Sequence, residues 1–199
     1  MHAPLLRWAG SKKRSLPDIL PVLPTSYDRY LEPFAGSACL FFLLAPTSGV
    51  VSDNNIELMQ FYKTVRRRAA AVYKEFVSIR RDRDTYYAVR RNYEMQTDPV
   101  MRAATFLYLN RNCFNGIYRT NLRGAFNVPF SGDRVLVLIG LQYFGKLAVW
   151  RVARHDQPLN ARPSGTYIRS AIDLESPSSG LDFSILREML EESALRRNR

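Results

Sequence analysis

The side chains best suited to chemistry are concentrated between residues 106 and 130, in the run F-L-Y-L-N-R-N-C-F-N-G-I-Y-R-T-N-L-R-G-A-F-N-V-P-F. Its arginines carry forked N–H donors, and each asparagine carries a donor group and an acceptor on one short arm. These residues are Arg111, Arg119, Arg123, Asn110, Asn112, Asn115, Asn121 and Asn127. Arginine and asparagine make the bidentate contacts that read guanine and adenine in a major groove. The run predicts either a surface that reads nucleic acid or a turn-rich loop, since asparagine and glycine also favour turns.

The charge balance favours a polyanionic partner. The chain of 199 residues has a net charge of +11, and its first 130 residues hold 19 basic and 10 acidic side chains, a net charge of +9. Arginine outnumbers lysine by 24 to 5. Guanidinium groups suit phosphates and base edges, although a GC-rich genome produces the same bias. We therefore expect nucleic-acid binding rather than a merely basic surface.

Length and composition predict one domain, or one domain with an insertion. The chain has no apolar run near the roughly 18 residues of a membrane span and no secretory signal pattern at its N-terminus. Cys39 and Cys113 lie far apart and lack metal-ligand spacing, so no metal site is expected. A reduced, cytoplasmic protein is the simplest interpretation.

The elements before the run form two turn-to-helix units. Gly10 and Ser11 predict a turn and an N-cap before a basic helix that extends to about Leu23. Residues 33–37 predict a second turn, between a strand at 29–32 and a buried helix at 38–44. A small-residue loop after a first strand points helix N–H groups at a ligand. Neither turn has a Walker or G-x-G-x-x-G pattern, and the basic turn is equally typical of a solvated surface.

A second short strand around Val50 and Val51 ends in Ser52, Asp53 and Asn54. An acid at this position can bind the two hydroxyls of a ribose. Asp53 or Asn54 can equally cap the following helix, which begins at Ile56, and different residues can do the two jobs.

Residues 56–109 have helical periodicity, with a break at Asp98-Pro99 and a further helix at 100–109. Most arginines of this segment are expected on a solvated surface. After residue 130, apolar strands are predicted at 134–141 and 147–152. Loops are predicted at 157–166 and 175–180, and an amphipathic helix at 181–197.

Four segments, in this order, resemble the DNA adenine N6-methyltransferases of the GATC-methylating type from bacteria and phages. Arg7–Lys12 match R-W-x-G-[GS]-K, and Glu32–Ser37 match the glycine loop E-P-F-x-G-[AS]. Ser52–Asn55 match [AS]-D-x-N, and Phe106–Phe130 match the most distinctive run almost throughout. The resemblance covers residues 4–130.

The resemblance implies an α/β fold, in which a Rossmann-like, S-adenosylmethionine-dependent core carries an all-helical DNA-recognition insertion. Residues 1–55 would be the cofactor-binding part of the core and 56–130 the target-recognition domain. Residues 131–199 would be a divergent segment with residual or replacement core strands. The implied partner is duplex DNA, bound by a monomer in a bacterial or phage-infected cell, with no membrane involved.

The resemblance also implies residue roles. Trp8 would line the cofactor pocket, Lys12 would pair with the carboxylate of the cofactor, and Asp53 would bind its ribose. The full cofactor-binding set is Trp8, Gly10, Lys12, Pro33, Phe34, Gly36 and Asp53. The DNA-binding set is Arg111, Asn115, Ile117, Arg119, Asn121 and Pro129, with Arg119 expected to contact guanine.

One motif of the family is missing. The family flips the adenine out of the duplex and holds it with a D-P-P-Y tetrapeptide. This chain has no Pro-Pro pair, and the match stops at Phe130. The catalytic residues therefore stay unassigned. The sequence predicts a shortened or frameshifted, inactive chain, and the alternatives are a non-catalytic DNA-binding remnant or a subunit completed by a partner chain that carries the motif.

Overall fold

The computed structural model describes residues 4–132 and 171–175. Its helices are α1 (Leu16–Ile19), α2 (Cys39–Leu44), α3 (Ile56–Ser78), α4 (Arg83–Asn92) and α5 (Pro99–Asn112). Its strands are β1 (Tyr30–Glu32), β2 (Ser48–Ser52) and β3 (Ala171–Glu175). Short 3-10 helices span Lys12–Arg14, Leu20–Val22, Tyr93–Met95 and Phe114–Gly116. The predicted strands at 134–141 and 147–152, the loop at 157–166 and the helix at 181–197 lie outside the described residues.

The strands of the described residues form one small sheet in the order β1-β2-β3. β1 and β2 are parallel, with Leu31 opposite Val50, and α2 connects them. β3 runs antiparallel to β2, with Val51 opposite Ile172. The mixed α/β content is confirmed, but the antiparallel β3 was not predicted, and three strands alone do not establish a Rossmann-like core.

The N-terminal elements agree with the predictions in part. The Ser11 side chain caps a 3-10 turn by accepting from the backbone of Lys13, as expected of an N-cap. The predicted continuous helix to Leu23 is wrong, because the segment is divided into two 3-10 turns with α1 between them. Pro21, in the second 3-10 turn, has no N–H with which to continue the hydrogen bonds of α1, which favours short pieces.

α3 is an amphipathic helix whose buried residues recur at helical spacing. They are Leu58, Met59, Phe61, Tyr62, Val65, Arg66, Ala69, Val72 and Phe76. The prediction that Asp53 or Asn54 caps this helix is wrong: the Asn55 side chain accepts from the Leu58 backbone N–H at 2.9 Å. Non-helical dihedral angles at Arg68 (φ −138°, ψ 39°) interrupt the helix midway.

α5 begins at the predicted Asp98-Pro99 break. The Asp98 side chain accepts from the Met101 backbone N–H at 2.7 Å, and Pro99 occupies the first turn, where its missing N–H costs nothing. Every residue from 103 to 112 is buried. A helix buried on all sides belongs to the core of the molecule.

A single apolar cluster joins the N-terminal segment to α5 and to the residues that follow it. It begins with Leu5 and Leu6, continues through α3 and α5, and ends with Phe126 and Val128. The core is thus continuous across residue 55, and the division into a core part and a recognition domain at that point stays a prediction. No helix within residues 4–132 is long and apolar enough to cross a membrane.

Candidate functional site: a glycine loop beside an arginine-bearing hairpin

The glycine loop, residues 33–38, is fixed against the carboxyl end of β2. The Gly36 N–H donates to Asp53 Oδ2 at 2.9 Å, and the Ala35 N–H donates to the Ser52 carbonyl at 2.9 Å. From α3, the Tyr62 hydroxyl donates to the Gly36 carbonyl at 2.8 Å. Burial raises the pKa of Tyr62 well above its ordinary value, so it stays a neutral donor. The loop is therefore tied to β2 and to α3.

Trp8 covers the loop at Gly36. Gly36 has a φ of +51°, and a Cβ built there would lie 2.9 Å from Trp8 Cδ1. Only glycine meets both conditions without strain. Ser11 and Ser37 add a second link between the N-terminal segment and the loop, with 2.7 Å between their hydroxyl oxygens. The predicted cofactor residues Trp8 and Gly36 are thus in direct contact.

Lys12 lies at the end of β1. Its Nζ forms an ion pair with Glu32 Oε1 at 3.0 Å and donates to the Phe34 carbonyl. The Tyr30 hydroxyl donates to the other Glu32 oxygen at 2.7 Å, and Glu32 is only 4% exposed. Burial, followed by the charge of Glu32, raises the pKa of Tyr30. The structure thus gives Lys12 an internal acidic partner, while its predicted pairing with a cofactor carboxylate stays a prediction.

Asp53 connects the loop to the start of α3. Its Oδ2 accepts from Gly36 and its Oδ1 accepts from the Asn55 backbone N–H at 2.9 Å. The side chain is partly exposed, and a carboxylate oxygen has a second lone pair for a further donor. The ribose role of Asp53 stays a prediction.

The remaining predicted cofactor residues lie at the edges of this arrangement. Gly10 is an exposed turn residue with a φ of +71° and open space where a Cβ would stand. Pro33 and Phe34 are exposed and, with Lys12, line a cleft of about 320 Å³ beside β1. The lining of that cleft does not include Trp8, Gly36 or Asp53.

Residues 113–130 form a hairpin, here called the recognition hairpin. Antiparallel bridges join Cys113 to Phe130 and Thr120 to Phe126. The Asn121 side chain closes the tip by accepting from the backbone N–H groups of Arg123 at 2.9 Å and Ala125 at 3.1 Å. This is the turn role of asparagine that was the alternative interpretation of the run.

The two faces of the recognition hairpin differ, as alternation along extended chain requires. Phe126 and Val128 point inward and are buried. The Val128 carbonyl accepts from the Tyr86 hydroxyl at 2.9 Å and from Arg90 Nη1 at 3.0 Å, which attaches the hairpin to α4. The exposed residues are Phe114, Asn115, Ile117, Arg119, Thr120, Asn121, Leu122, Arg123, Gly124 and Pro129.

Five of the six predicted DNA-binding residues thus lie on the exposed face. Arg119 is oriented there by Asn127, whose Oδ1 accepts from Arg119 Nε at 2.9 Å. A guanidinium has five N–H donors, so this bond leaves others for a ligand. Asn115 has a φ of +56°, a left-handed conformation that asparagine tolerates better than most residues.

Arg111 is the exception. It lies in the last turn of α5, is 6% exposed, and its Nη2 donates to the Pro4 carbonyl at 2.9 Å. Its neighbour Asn110 exchanges two hydrogen bonds with the backbone of Arg7, at 2.9 and 2.7 Å. Both side chains hold the N-terminal segment against α5. This position does not favour the predicted contact between Arg111 and DNA.

Sequence reasoning missed Tyr118, a residue that connects the two parts of the site. Its ring stacks on Trp8, with 5.4 Å between centroids and 20° between planes. Burial raises the pKa of Tyr118 to about 12, and the nearby Asn55 side chain acts in the opposite direction. The sequence could have indicated this, because Tyr118 lies between the outward residues Ile117 and Arg119, and side chains alternate in direction along an extended chain.

The fold and the site define an α/β protein in which a cofactor-type glycine loop with an acidic strand end stands beside an exposed, arginine-bearing hairpin. The family model described as D12 class N6 adenine-specific DNA methyltransferase matches residues 8–133. The chain belongs to that family.

Named relatives agree with the family. The chain is 36% identical over 129 residues to the DNA adenine methylase of Serratia marcescens, covering 63% of this chain and 47% of that protein. It is 36% identical over 148 residues to the type II methyltransferase M.MjaIII of Methanocaldococcus jannaschii, covering 64% and 51%. It is 37% identical over 130 residues to the DNA N-6-adenine-methyltransferase of Escherichia phage P1, covering 63% and 17%. The chain spans about half the length of the first two relatives.

Proposed function

We propose that this chain supplies the cofactor-binding and DNA-reading parts of a DNA adenine N6-methyltransferase that uses S-adenosylmethionine. One observation carries the proposal: Trp8 touches the glycine loop on one side and the recognition hairpin on the other. A methyl transfer from a cofactor to a base requires the cofactor loop and the base-reading hairpin to lie close together, and Trp8 joins them. S-adenosylmethionine, when bound, supplies an activated methyl group.

On the cofactor side, the residues have separate jobs. Gly36 lets the ligand approach the backbone, where any Cβ would collide with Trp8. Asp53 accepts from the ribose hydroxyls, and Trp8 offers an aromatic wall. Lys12, held by Glu32 at 3.0 Å, places a cationic donor near the end of β1 for the cofactor carboxylate.

On the DNA side, the exposed face of the recognition hairpin reads the duplex. Arg119 makes a bidentate contact to guanine, and Asn115 or Asn121 contacts phosphates or base edges. Ile117 and Pro129 supply apolar contacts. We propose a GATC-like site, and we assign Arg111 a supporting role inside the protein because it is 6% exposed.

The transfer step needs groups that hold the flipped adenine, and the D-P-P-Y motif that does this in the resembled family is absent from the sequence. We therefore propose that transfer requires a complementing polypeptide that carries this motif.

The test is methyl transfer from tritiated S-adenosylmethionine to a duplex that contains one GATC site. The chain is assayed alone, with a polypeptide comprising the part of the Serratia marcescens relative that it does not match, and that polypeptide is assayed alone. Transfer only in the mixture is the expected result. A chain that binds neither S-adenosylmethionine nor duplex DNA in calorimetry overturns the proposal, and transfer by the chain alone overturns the need for complementation.

The second candidate function is DNA binding without methylation. It is favoured by the intact hairpin in a chain that lacks D-P-P-Y. Calorimetry separates the two functions, because a DNA-binding remnant is expected to bind the duplex but not S-adenosylmethionine.

A further inference from the structure

We propose that Tyr118 is a positioning residue that couples occupancy of the cofactor site to the affinity of the recognition hairpin for DNA. The inference rests on the proposed function and deepens it. Tyr118 lies on the inward face of the hairpin, between the exposed residues Ile117 and Arg119. Any displacement of its ring is passed through the backbone to those two neighbours.

The first connection from Tyr118 to the cofactor site goes through Trp8. The two rings are nearly parallel, 20° apart, with centroids at 5.4 Å. Trp8 is in turn so close to Gly36 that a Cβ there would lie 2.9 Å from Cδ1. A ligand that packs against Trp8 therefore acts on a ring whose neighbours on two sides are the glycine loop and the hairpin.

The second connection goes through Asn55. The Asn55 side chain lies close enough to the Tyr118 hydroxyl to act on its pKa, which it lowers. The Asn55 backbone N–H donates to Asp53 Oδ1 at 2.9 Å, and its side chain caps α3 by accepting from Leu58. Tyr118 is thus in contact with neighbours of both Gly36 and Asp53, the two residues at the centre of the proposed cofactor site.

The remaining neighbours of the ring hold it in place. Phe106 of α5 lies 5.7 Å from the Tyr118 centroid, and Phe126 of the hairpin also lies 5.7 Å away. Because Tyr118 is packed against Trp8, Phe106 and Phe126, we expect its ring to follow a shift of Trp8. Coupling between two binding sites is reciprocal, so DNA must change the cofactor affinity by the same factor.

The experiment measures the dissociation constant of a fluorescent GATC duplex with and without saturating S-adenosylhomocysteine, the non-reactive product. In the unmodified chain, the product is expected to tighten DNA binding by a factor of roughly 2 to 12, the range that one aromatic pair supplies. Tyr118→Leu is expected to reduce this factor to about 1. Tyr118→Phe, which keeps the stack and loses only the hydroxyl, is expected to retain part of it.

The matched control is Phe114→Leu, because Phe114 is an exposed aromatic residue of the same hairpin, 53% exposed. In this variant, S-adenosylhomocysteine is expected to tighten DNA binding by the same factor as in the unmodified chain. Tyr118→Met serves as a second variant that preserves apolar volume, should Tyr118→Leu fold poorly. A coupling factor in the folded Leu or Met variants equal to that of the unmodified chain overturns the proposal.

A second readout uses Trp8 itself. Trp8 and Trp150 are the two tryptophans, so a Trp150→Phe chain reports on Trp8 alone. Its emission is expected to change on DNA binding when Tyr118 is present and to be unchanged with Tyr118→Leu; equal changes contradict the coupling. Failure of the unmodified chain to bind either ligand overturns the proposed function, whereas binding of both without coupling overturns only this inference.

Discussion

The run from Phe106 to Phe130 consists of two regions with similar side chains and opposite environments. In the last turn of α5, Asn110, Arg111 and Asn112 are 2%, 6% and 0% exposed. In the recognition hairpin, Asn115, Arg119 and Asn121 are exposed. The difference shows that an arginine and asparagine pattern predicts polar recognition without saying whether the partner is a ligand or the protein's own backbone.

What covers each region determines whether its side chains bind the protein's own backbone or face outward to a ligand. The N-terminal segment lies on the end of α5, and buried asparagine and arginine side chains satisfy its backbone groups, as with Asn110 and Arg7. Among the described residues, the hairpin is covered on one face only, by α4, by Trp8 and Arg7 of the N-terminal segment and by its own apolar residues. Its other face is available to a large polyanion.

The largest effect is expected at two glycines of the recognition hairpin, one packed against the N-terminal segment and one at the exposed tip. Gly116 has a φ of +65°, and a Cβ there would lie 2.3 Å from the Arg7 Cβ. Gly124, at the hairpin tip, has a φ of +82° and open space. Gly116→Ala is expected to cost more than about 3 kcal/mol of unfolding free energy and Gly124→Ala about 1 kcal/mol. Urea unfolding measures both, and equal costs would contradict the close packing of Arg7 on the hairpin.

The next effect concerns the two arginines. Arg111→Ala removes a buried charged donor from the Pro4 carbonyl and is expected to cost about 2 kcal/mol of unfolding free energy. Arg119→Ala removes an exposed side chain and is expected to cost less than about 0.5 kcal/mol. Thermal unfolding followed by circular dichroism gives both values. A larger loss of stability with Arg119→Ala than with Arg111→Ala would contradict the assignment of Arg111 to the buried region and of Arg119 to the exposed one.

The smallest effect concerns the attachment of α5 to α3. Arg102 Nη2 forms an ion pair with Glu57 Oε1 at 2.8 Å, and the Tyr93 hydroxyl donates to Glu57 Oε2 at 2.7 Å. Burial raises the pKa of Glu57, but the hydrogen bonds from Arg102 and Tyr93 and the charge of Arg102 outweigh it, and the net pKa lies below the ordinary 4.5.

Because the folded pKa of Glu57 is depressed, its contribution is fully present above pH 4.5 and is lost as the pH falls through the folded value. After allowance for solvent screening, Glu57→Gln is expected to cost about 1 kcal/mol at pH 7 and progressively less below pH 4.5. Urea unfolding at pH 7 and pH 3.5 measures the difference. A cost that is the same at both values would exclude the charge of Glu57 as its source.

The sequence predicted the elements that depend on local signals. The strand before the glycine loop, the helix α2 and the break at Asp98-Pro99 follow from turn residues, apolar runs and proline, and the structure confirms all three. The cap of α3 was placed one or two residues early, since Asp53, Asn54 and Asn55 are all good caps and only tertiary hydrogen bonds separate them.

Features that depend on distant partners were not predictable in the same way. The burial of Arg111 requires the N-terminal segment, 107 residues away along the chain. The stack of Tyr118 on Trp8 likewise joins two remote segments. The antiparallel pairing of β3 with β2 spans more than a hundred residues and has no local signature.

We propose that the exposed region of the run reads DNA and that the buried region does not. The most direct measurement is the affinity of Arg119→Ala and Arg111→Ala for a GATC duplex and for a duplex with the guanine replaced, at several salt concentrations. Arg119→Ala is expected to lose about 10- to 100-fold in affinity for GATC and much of its discrimination, with a shallower salt dependence. The folded Arg111→Ala variant is expected to keep the affinity and the discrimination of the unmodified chain. Unchanged affinity and discrimination in Arg119→Ala, or their selective loss in Arg111→Ala, would contradict the claim.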